Sequence, residues 1–269
     1  MKTLPRHALV LAGSRGPTDP VAKAAKLPHK ALVPVDGIPM LERVVGTLFA
    51  SDGIDHVVIS SDAALAEHGF GPILTEKIEN GRITLAAPKA SPSESVAYVL
   101  DGLSAETGFP LLVTTADHPL LTTEMVEHFC RAAPIGVDLT IGLAEADVIR
   151  NSYPDAIRTF YRFKGQDYSG CNLFLMSTSK ARRAVDFWQQ MERHRKRPWR
   201  LVGAAGVFTL LRFAIGQLSL AAALAHLSRK VGAQIGMVEM PFAEAAIDVD
   251  KPGDLALAET ILRARLERS

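Results

Sequence analysis

The sequence predicts an α/β fold in which helices flank a mostly parallel sheet. Short apolar runs alternate with segments of helical periodicity through the first half of the chain, which is the order expected of βαβ units. With 269 residues, 48% of them hydrophobic, the chain can build one large core. Since no linker-like stretch divides the chain, we predict a single domain over residues 1–269.

The predicted elements follow from two periodicities. Runs of apolar residues predict buried strands, and apolar residues repeated at intervals of about three or four predict helices. Strands are predicted at residues 8–12, 56–60, 83–86, 110–115, 138–144, 172–176 and 236–240. Helices are predicted at residues 40–49, 63–68, 93–103, 124–132 and 179–192, and from residue 255 onward. This order gives a sheet with a helical insertion near residues 179–230.

Composition and charge exclude several classes of protein. Thirty basic residues against 29 acidic ones give a net charge of +1, so the chain lacks the basic field of a nucleic-acid-binding protein. Cys130 and Cys171 form neither a metal-binding spacing nor a disulfide framework, and we predict two packed, reduced thiols. The first apolar run is too short for a secretory signal, which favours a cytoplasmic location.

The turn after the first predicted strand suits a phosphate group. Gly13 lets backbone N–H groups approach an anion without a Cβ in the way. Arg15 and Lys30 then supply full positive charges. No G-x-x-x-x-G-K-[ST] motif is present, which disfavours an ordinary ATPase or GTPase. The opening of the chain therefore predicts a nucleoside triphosphate site of another kind.

Two acidic segments add a candidate metal site. Asp117 follows the predicted strand 110–115, at the edge where open α/β sheets bind ligands, although an aspartate there can also serve as a turn residue. Asp248 and Asp250 lie two residues apart, so an extended segment presents both on one face. Such carboxylates suit Mg²⁺, whereas Asp254 is more simply the N-cap of the last helix.

A hydroxyl-rich loop precedes the helix predicted at residues 93–103. Ser91, Ser93 and Ser95 either hydrogen-bond a base or ribose, or cap the helix. The sequence contains no strong Ser-His-Asp or Cys-His arrangement for a protein nucleophile. Together with the basic and acidic segments, the loop indicates chemistry on a phosphoryl group, in which the acceptor itself supplies the attacking atom.

These motifs together resemble the nucleotidyltransferase superfamily, in particular its molybdopterin-guanine nucleotidyltransferase-like branch, the MobA-like NTP transferases. The resemblance covers residues 7–145 and 236–262. It implies a Rossmann-like sheet and in-line attack of an acceptor phosphate on the α-phosphorus of an NTP, with release of pyrophosphate. The matching segments are Leu11-Ala12-Gly13 with Arg15, Lys30-Ala31-Leu32-Val33-Pro34-Val35, Ala116-Asp117-His118-Pro119-Leu120 and Asp248-Val249-Asp250.

The resemblance implies a role for each matching position. Lys30, Arg15 and Asp117 would be catalytic, with Lys30 neutralising the α-phosphate in the transition state. Asp117, Asp248 and Asp250 would hold Mg²⁺, with Asp248 the better match for the second carboxylate. Gly170 and Asn172 would face the acceptor. The implied nucleotide-binding set is Leu11, Ala12, Gly13, Ser14, Arg15, Lys30, Pro88, Ser93, Ser95 and Asp117.

The chain departs from the family pattern in its first loop. The family's first loop reads Gly-Gly-x-Gly-x-Arg, whereas this chain has Gly13-Ser14-Arg15-Gly16. An insertion at residues 17–29 carries Lys23 and Lys26, and either lysine is an alternative to Arg15 as a phosphate ligand. His118 stands where a small or apolar residue is common. It is either a partly exposed turn histidine or a member of the metal shell.

Residues 193–227 form a second departure. A basic cluster containing Trp199 precedes an apolar stretch, as in an interfacial membrane anchor, and residues 193–216 are the candidate contact. The apolar run at 201–211 is too short for a transmembrane span of about 20 residues. The other interpretations are a buried helical pair over the acceptor site, a homodimer face, or a basic cluster that holds the acceptor's phosphate.

Three functions remain open. The first is transfer of an NMP from an NTP, CTP or GTP being favoured, onto a polyol, sugar or lipid-precursor phosphate; the similarity of Ser95-Val96 to methylerythritol-phosphate cytidylyltransferases favours CTP. The second is guanylyl or cytidylyl transfer in molybdenum-cofactor maturation. The third is a non-catalytic nucleotide-binding or membrane-associated scaffold, which would have no need for Lys30, Asp117 and Asp248 together.

Overall fold

Ten strands and ten α-helices are identified in the residues that the computed structural model describes, which are 4–14, 16–104, 108–194 and 215–267. The strands are β1 His7–Ala12, β2 Pro34–Val35, β3 Ile38–Pro39, β4 His56–Ser61, β5 Ile83–Ala86, β6 Leu111–Thr115, β7 Leu139–Glu145, β8 Tyr161–Arg162, β9 Asp167–Met176 and β10 Ile235–Glu239. The helices are α1 Pro20–Ala25, α2 Met40–Ala50, α3 Ala63–His68, α4 Pro72–Glu79, α5 Pro92–Gly102, α6 Thr123–Ala132, α7 Ala146–Ser152, α8 Ala181–His194, α9 Leu220–Val231 and α10 Pro252–Leu266.

The central sheet has eight strands in the order β10-β7-β9-β6-β1-β4-β5, with β8 paired to β9. The pairs of β1 with β4 and β6, of β4 with β5, and of β7 with β10 are parallel. Strand β9 is antiparallel to both β6 and β7. The prediction of a mostly parallel α/β sheet flanked by helices is confirmed.

Apolar side chains cover both faces of the sheet. Along β1, Ala8 and Val10 join one cluster, whereas Leu9 joins a second cluster on the opposite face with residues of α5 and α8. Because β1 is buried on both faces, it reads in the sequence as a continuous apolar run. The core therefore holds β1 and its neighbours β4 and β6 rigidly, and their carboxyl ends form the edge at which the candidate site lies.

Two boundaries differ from the prediction for physical reasons. Strand β9 begins at Asp167, five residues before the predicted start at residue 172. The prediction started late because the first half of the strand is partly exposed and its apolar pattern becomes visible only near Leu173. Helix α10 begins at Pro252, which suits the first helical position. Asp254 is therefore not the N-cap. It lies at the third helical position, and its carboxylate accepts the N–H of the capping residue Lys251 at 2.9 Å.

The predicted insertion contains two helices in the described part of the chain. Helix α8 packs against α5, and α9 lies against α8 and β10. Most of the candidate membrane contact at 193–216 falls on residues 195–214, which lie outside the described residues. Among the helices that are described, none combines the length and the apolar character that crossing a membrane requires.

Candidate active site

Three neighbouring strands end together beside a cavity. Leu11 is in register with Ser60 on β4 and with Thr115 on β6, so the three side chains lie side by side on one face of the sheet. All three line a cavity of about 460 Å³. The cavity is lined further by Gly13, Ser14, Asp19, Lys30, Pro88, Lys89, Ala90, Ser91, Pro92, Ser95, Asp117 and Asp250.

The loop after β1 leaves its backbone accessible on the cavity side. Apart from Gly13 itself and its two chain neighbours, no described residue has an atom within 4 Å of the position that a Cβ on Gly13 would occupy. The hydroxyl of Ser14 accepts the N–H of Gly16 at 3.0 Å. Gly16 has a φ of +62°, a conformation that favours glycine. Arg15 itself lies outside the described residues.

Lys30 is held at the centre of the site by a short 3₁₀ turn, Lys30–Leu32. The turn is capped by His29, whose Nδ1 accepts the N–H of Ala31 at 3.0 Å. The Lys30 ammonium is buried and lies 2.7 Å from Asp117 Oδ2 and 2.7 Å from Asp250 Oδ1. Burial would lower the pKa of Lys30, but the carboxylates of Asp117 and Asp250 outweigh it and raise that pKa. Lys30 is therefore a fixed positive charge.

Asp117, Asp248 and Asp250 form a cluster of carboxylates. Each offers one oxygen atom within 4.8 Å of the others, and a hydrogen bond of 2.8 Å from the N–H of Val249 to the carbonyl of Asp117 joins the two segments. Burial and the negative charges of Asp117 and Asp250 raise the pKa of Asp248. Asp117 Oδ1 is buried with no hydrogen-bond partner among the described residues. Crowded carboxylates with an unsatisfied oxygen fit a divalent cation.

Asp248 is held by Arg158 and Asn172. Arg158, whose side chain is 6% exposed, donates to Asp248 Oδ1 at 2.6 Å and also pairs with Asp254. The amide of Asn172 donates to Asp248 Oδ2 at 3.1 Å, from a backbone with a φ of +51°. Because the guanidinium is almost completely buried between two carboxylates, its position and theirs depend on each other.

A second cavity, of about 300 Å³, lies on the other side of the carboxylates. Asp248 and Asp250 line it, and Asp250 also lines the first cavity, so the carboxylate cluster lies between the two. The remaining lining is mostly polar: Ile157, Arg158, Thr159, Tyr161, Ser169, Gly170, Asn172, Ala246, Lys251 and Asp254.

The hydroxyl-rich segment lines the first cavity, and one of its serines caps helix α5. Ser91 is the N-cap, and its hydroxyl accepts the N–H of Glu94 at 3.3 Å. The hydroxyl of Ser95 accepts the N–H of Lys89 at 2.9 Å and donates to the carbonyl of Ser91 at 3.1 Å. Ser93 is fully buried and hydrogen-bonds Glu192 of α8. The capping interpretation is confirmed for Ser91, which also lines the cavity, as Ser95 does.

The structure brings most of the expected site residues together. Those that line the first cavity are Leu11, Gly13, Ser14, Lys30, Pro88, Ser95, Asp117 and Asp250. Those that line the second are Gly170, Asn172, Asp248 and Asp250. Ala12 and Ser93 are buried outside the lining of either cavity. Lys23 and Lys26, the alternatives to Arg15, are exposed and likewise lie outside both linings.

His118 is not the partly exposed turn histidine of one interpretation, and it is not part of the cluster formed by Asp117, Asp248 and Asp250. It is buried rather than partly exposed, and its Nε2 lies 3.3 Å from the carbonyl of Glu244. Burial lowers its pKa to about 4, so the imidazole is neutral near pH 7. His118 therefore packs in the turn that positions Asp117.

Sequence reasoning missed several residues of the two linings, among them Ser60, Thr115 and Arg158. Ser60 and Thr115 end predicted strands, and the rule that placed Asp117 at the carboxyl edge of the sheet applies equally to them. Arg158 had no comparable signal, because it lies in an irregular segment between α7 and β8. Its buried pairing with Asp248 depends on the tertiary fold.

Comparison with known proteins agrees with this geometry. The sequence profile of the MobA-like NTP transferase domain matches residues 8–165. A 3-deoxy-manno-octulosonate cytidylyltransferase from Anaeromyxobacter sp. (strain Fw109-5) is 32% identical over 123 residues. That match covers 43% of this chain and 45% of the relative, so the chain spans less than half the length of that curated protein.

Solved structures give matches over nearly the whole chain. A hypothetical transferase from Thermus thermophilus superposes with a TM-score of 0.78 and 28% identity, over 94% of this chain and 100% of that one. The 4-diphosphocytidyl-2C-methyl-D-erythritol synthase from Anaerococcus prevotii DSM 20548 shares the fold, with a TM-score of 0.57 and 11% identity over 96% of each chain. Since the family profile matches more than half of its residues, this chain belongs to the MobA-like NTP transferase domain family.

Proposed function

We propose that this protein is a Mg²⁺-dependent nucleotidyltransferase, which moves an NMP from an NTP onto a phosphorylated acceptor and releases pyrophosphate. The observation that carries the proposal is the contact of Lys30 with Asp117 and Asp250, 2.7 Å from each, between two cavities. A fixed cation beside a carboxylate cluster suits a reaction in which negative charge develops on a phosphoryl group. Two adjoining cavities suit two substrates.

In this reaction an oxygen of the acceptor phosphate forms a bond to the α-phosphorus of the NTP. The bond from that phosphorus to the oxygen bridging to the β-phosphate breaks, and pyrophosphate leaves with the electron pair. Lys30 holds its proton and stabilises the added charge on the α-phosphate. Arg15 is the proposed partner of the leaving phosphates, on sequence grounds. A divalent cation held by Asp117, Asp248 and Asp250 would supply further positive charge and orient the phosphate oxygens.

For the base we propose CTP first and GTP second. The name of the curated relative, a cytidylyltransferase, supports CTP. The ring of Pro88 and the hydroxyls of Ser91 and Ser95 suit a nucleoside, while the ammonium of Lys30 suits phosphates. Ser93, which the resemblance implies as a nucleotide contact, is turned toward α8 and would act through Ser91.

For the acceptor we propose a polyol or sugar phosphate. The second cavity is small and lined mainly by groups that hydrogen-bond, which suits hydroxyl-rich molecules better than an apolar tail. Lys251 is an exposed cation on its wall and suits the acceptor's phosphate. Gly170 and Asn172, on β9, would face the acceptor.

A second candidate is guanylyl or cytidylyl transfer onto a molybdopterin phosphate, and the family match favours it. The two candidates share the nucleotide site and differ only in the acceptor. A non-catalytic scaffold would bind nucleotide without turning it over.

The experiment that tests the proposal is pyrophosphate release from each of the four NTPs with Mg²⁺, with a panel of polyol, sugar and pterin phosphates as acceptors. We expect turnover with CTP or GTP and a polyol or sugar phosphate. Turnover only with the pterin phosphate would select the second candidate. Nucleotide binding without turnover on any acceptor would favour the scaffold and contradict the proposal.

Three further parts of the proposal rest on the sequence. They are a single domain over residues 1–269, a cytoplasmic protein with peripheral membrane contact through residues 193–216, and a homodimer. Sedimentation with vesicles of anionic lipid tests the membrane contact, and light scattering tests the dimer. If the protein does not sediment with such vesicles, a buried or subunit-contacting role for that segment is favoured.

A further inference from the structure

A chain of hydrogen bonds connects helix α8 with the wall of the nucleotide cavity. We infer that Glu192, on α8, is a positioning residue that fixes residues 88–95, the loop before α5 and the first turn of that helix, for nucleotide binding. The inference rests on the proposed function, since it assigns that loop to the nucleoside. Helix α8 follows the residues 8–165 that the family profile matches, so Glu192 lies outside that profile whereas Ser93 lies within it.

The direction of the hydrogen bonds follows from their donors. The Glu192 carboxylate accepts the hydroxyl proton of Ser93, which leaves Ser93 Oγ as an acceptor only. The hydroxyl of Ser91, 3.0 Å away, must then donate to Ser93. Ser91 Oγ in turn accepts the N–H of Glu94 at 3.3 Å. The anionic end of the chain therefore sets the orientation of the Ser91 hydroxyl, which belongs to a residue that lines the cavity.

Ser91 also supports the rest of the loop. Its carbonyl accepts the hydroxyl of Ser95, and the same Ser95 oxygen accepts the N–H of Lys89. Lys89, Ser91 and Ser95 all line the cavity. Gln189, one turn before Glu192, adds a hydrogen bond of 3.4 Å to the carbonyl of Ser93. Glu192, which lies outside the cavity lining, thus holds three of its lining residues through Ser93.

The contact between α8 and α5 does not depend on Glu192 alone. Near the other end of α8, Arg182 donates to Asp101 of α5 at 2.8 Å and 3.1 Å, and this pair is largely exposed. Asp101 therefore provides a matched control. Asp101→Asn weakens the docking of the same two helices without touching the chain of hydroxyls.

The test compares Glu192→Ala, Glu192→Gln and Asp101→Asn in the full chain. For each we would measure the Kd of the NTP by calorimetry with Mg²⁺, together with KM and kcat. Glu192→Ala should raise Kd and KM about tenfold, as expected for loss of one hydrogen bond to a charged group, with kcat changed less than about twofold. Glu192→Gln retains an acceptor for Ser93 and should restore most of the affinity. Asp101→Asn should bind like the wild type.

A double-mutant comparison guards against a purely structural effect. Ser93→Ala should weaken binding to a similar extent, and adding Glu192→Ala to it should cost little more, because both changes interrupt one chain. Wild-type NTP affinity in Glu192→Ala would overturn the inference and leave the proposed function standing. Equal losses of NTP affinity in Glu192→Ala, Glu192→Gln and Asp101→Asn would do the same. If the wild type binds no NTP, the proposed function fails and the inference fails with it.

Discussion

The ammonium of Lys30 lies 2.7 Å from the Oδ2 atom of Asp117, although 87 positions separate the two residues in the chain. Lys30 is 8% exposed, and a charge so buried is stable only with a partner. The strand order brings the partner there, since Asp117 follows β6 and β6 is a direct neighbour of β1. The pair is a product of the fold and, in our proposal, the centre of the chemistry.

Replacing Lys30 by alanine should lower kcat by at least about 10²-fold, because one preorganised charge at the reacting phosphate is lost. The change also leaves Asp117 and Asp250 without their shared cation. Steady-state pyrophosphate release measures the effect. Lys23→Ala, an exposed lysine on α1, is the control and should keep wild-type turnover. Unchanged turnover in Lys30→Ala would move the role to another cation.

Asp117→Asn should abolish Mg²⁺-dependent turnover while the protein stays folded. The amide is close in shape to the carboxylate but is a poor ligand for a hard cation. Turnover as a function of Mg²⁺ concentration, with circular dichroism as a check of folding, measures this. Asp52→Asn removes an exposed carboxylate that pairs with Arg131, and it should be silent. Full activity of Asp117→Asn would remove Asp117 from the mechanism.

Arg158→Ala should lower the free energy of unfolding by about 3–5 kcal/mol, because it leaves Asp248 and Asp254 without their buried cation. Urea denaturation measures the change. Arg6→Ala breaks an exposed pair with Asp55 and should cost at most about 1 kcal/mol. Similar losses in the two variants would show that the Arg158 pairs contribute no more than a surface pair.

Stability should fall with acid partly through His29. Burial lowers the pKa of His29 below its ordinary value of about 6.5, and Asp62 only partly offsets this. The folded state therefore favours the neutral imidazole. The contribution of His29 to the free energy of unfolding is complete above about pH 6.5 and is lost as the pH falls below that value. There the unfolded chain binds a proton at His29 more readily than the folded chain does.

The variant His29→Asn isolates this effect, since asparagine retains an acceptor for the N–H of Ala31. Between pH 6.5 and 5 the free energy of unfolding of the wild type should fall more steeply than that of the variant, by at most about 1.4 kcal/mol per pH unit. His68→Asn, which removes an exposed imidazole, serves as the control. Parallel curves for the wild type and His29→Asn would contradict the prediction.

Cys171 should resist thiol reagents in the folded protein. Its side chain is buried, and burial raises the pKa of the thiol far above its ordinary value, so little thiolate forms near pH 7. Cys130 is buried as well. Titration with a chromogenic disulfide should detect both thiols only after unfolding. Rapid reaction of the native protein would show that one of them is accessible.

The fold was predictable because the strands that build it carry strong local signals. Strands β1, β4 and β6 are continuous apolar runs, and polar residues at their ends mark one edge of the sheet. Asp117 could be assigned to that edge on this rule alone. The first half of β9 escaped prediction, since most of its residues are polar or small and only Ser169 and Cys171 among them are buried.

The parts of the site that were not predictable depend on tertiary contacts. Nothing in the sequence near Arg158 indicates that it pairs with Asp248, 90 positions away. Ser93 was assigned to the nucleotide, but its hydroxyl donates to the carboxylate of Glu192 on helix α8, 99 positions away. In both cases a local pattern was consistent with several roles, and the packing of distant segments selected one.

The measurement that tests the central claim most directly is the thermal stability of the wild type and Asp117→Asn with CTP, GTP, ATP or UTP, each with and without Mg²⁺. Only binding to the native state raises the melting temperature. We expect CTP or GTP to raise the melting temperature of the wild type only when Mg²⁺ is present. In Asp117→Asn we expect most of this increase to be lost, and the small remainder should not depend on Mg²⁺. No shift with any of the four nucleotides, with or without the metal, would contradict the claim that this cavity binds an NTP.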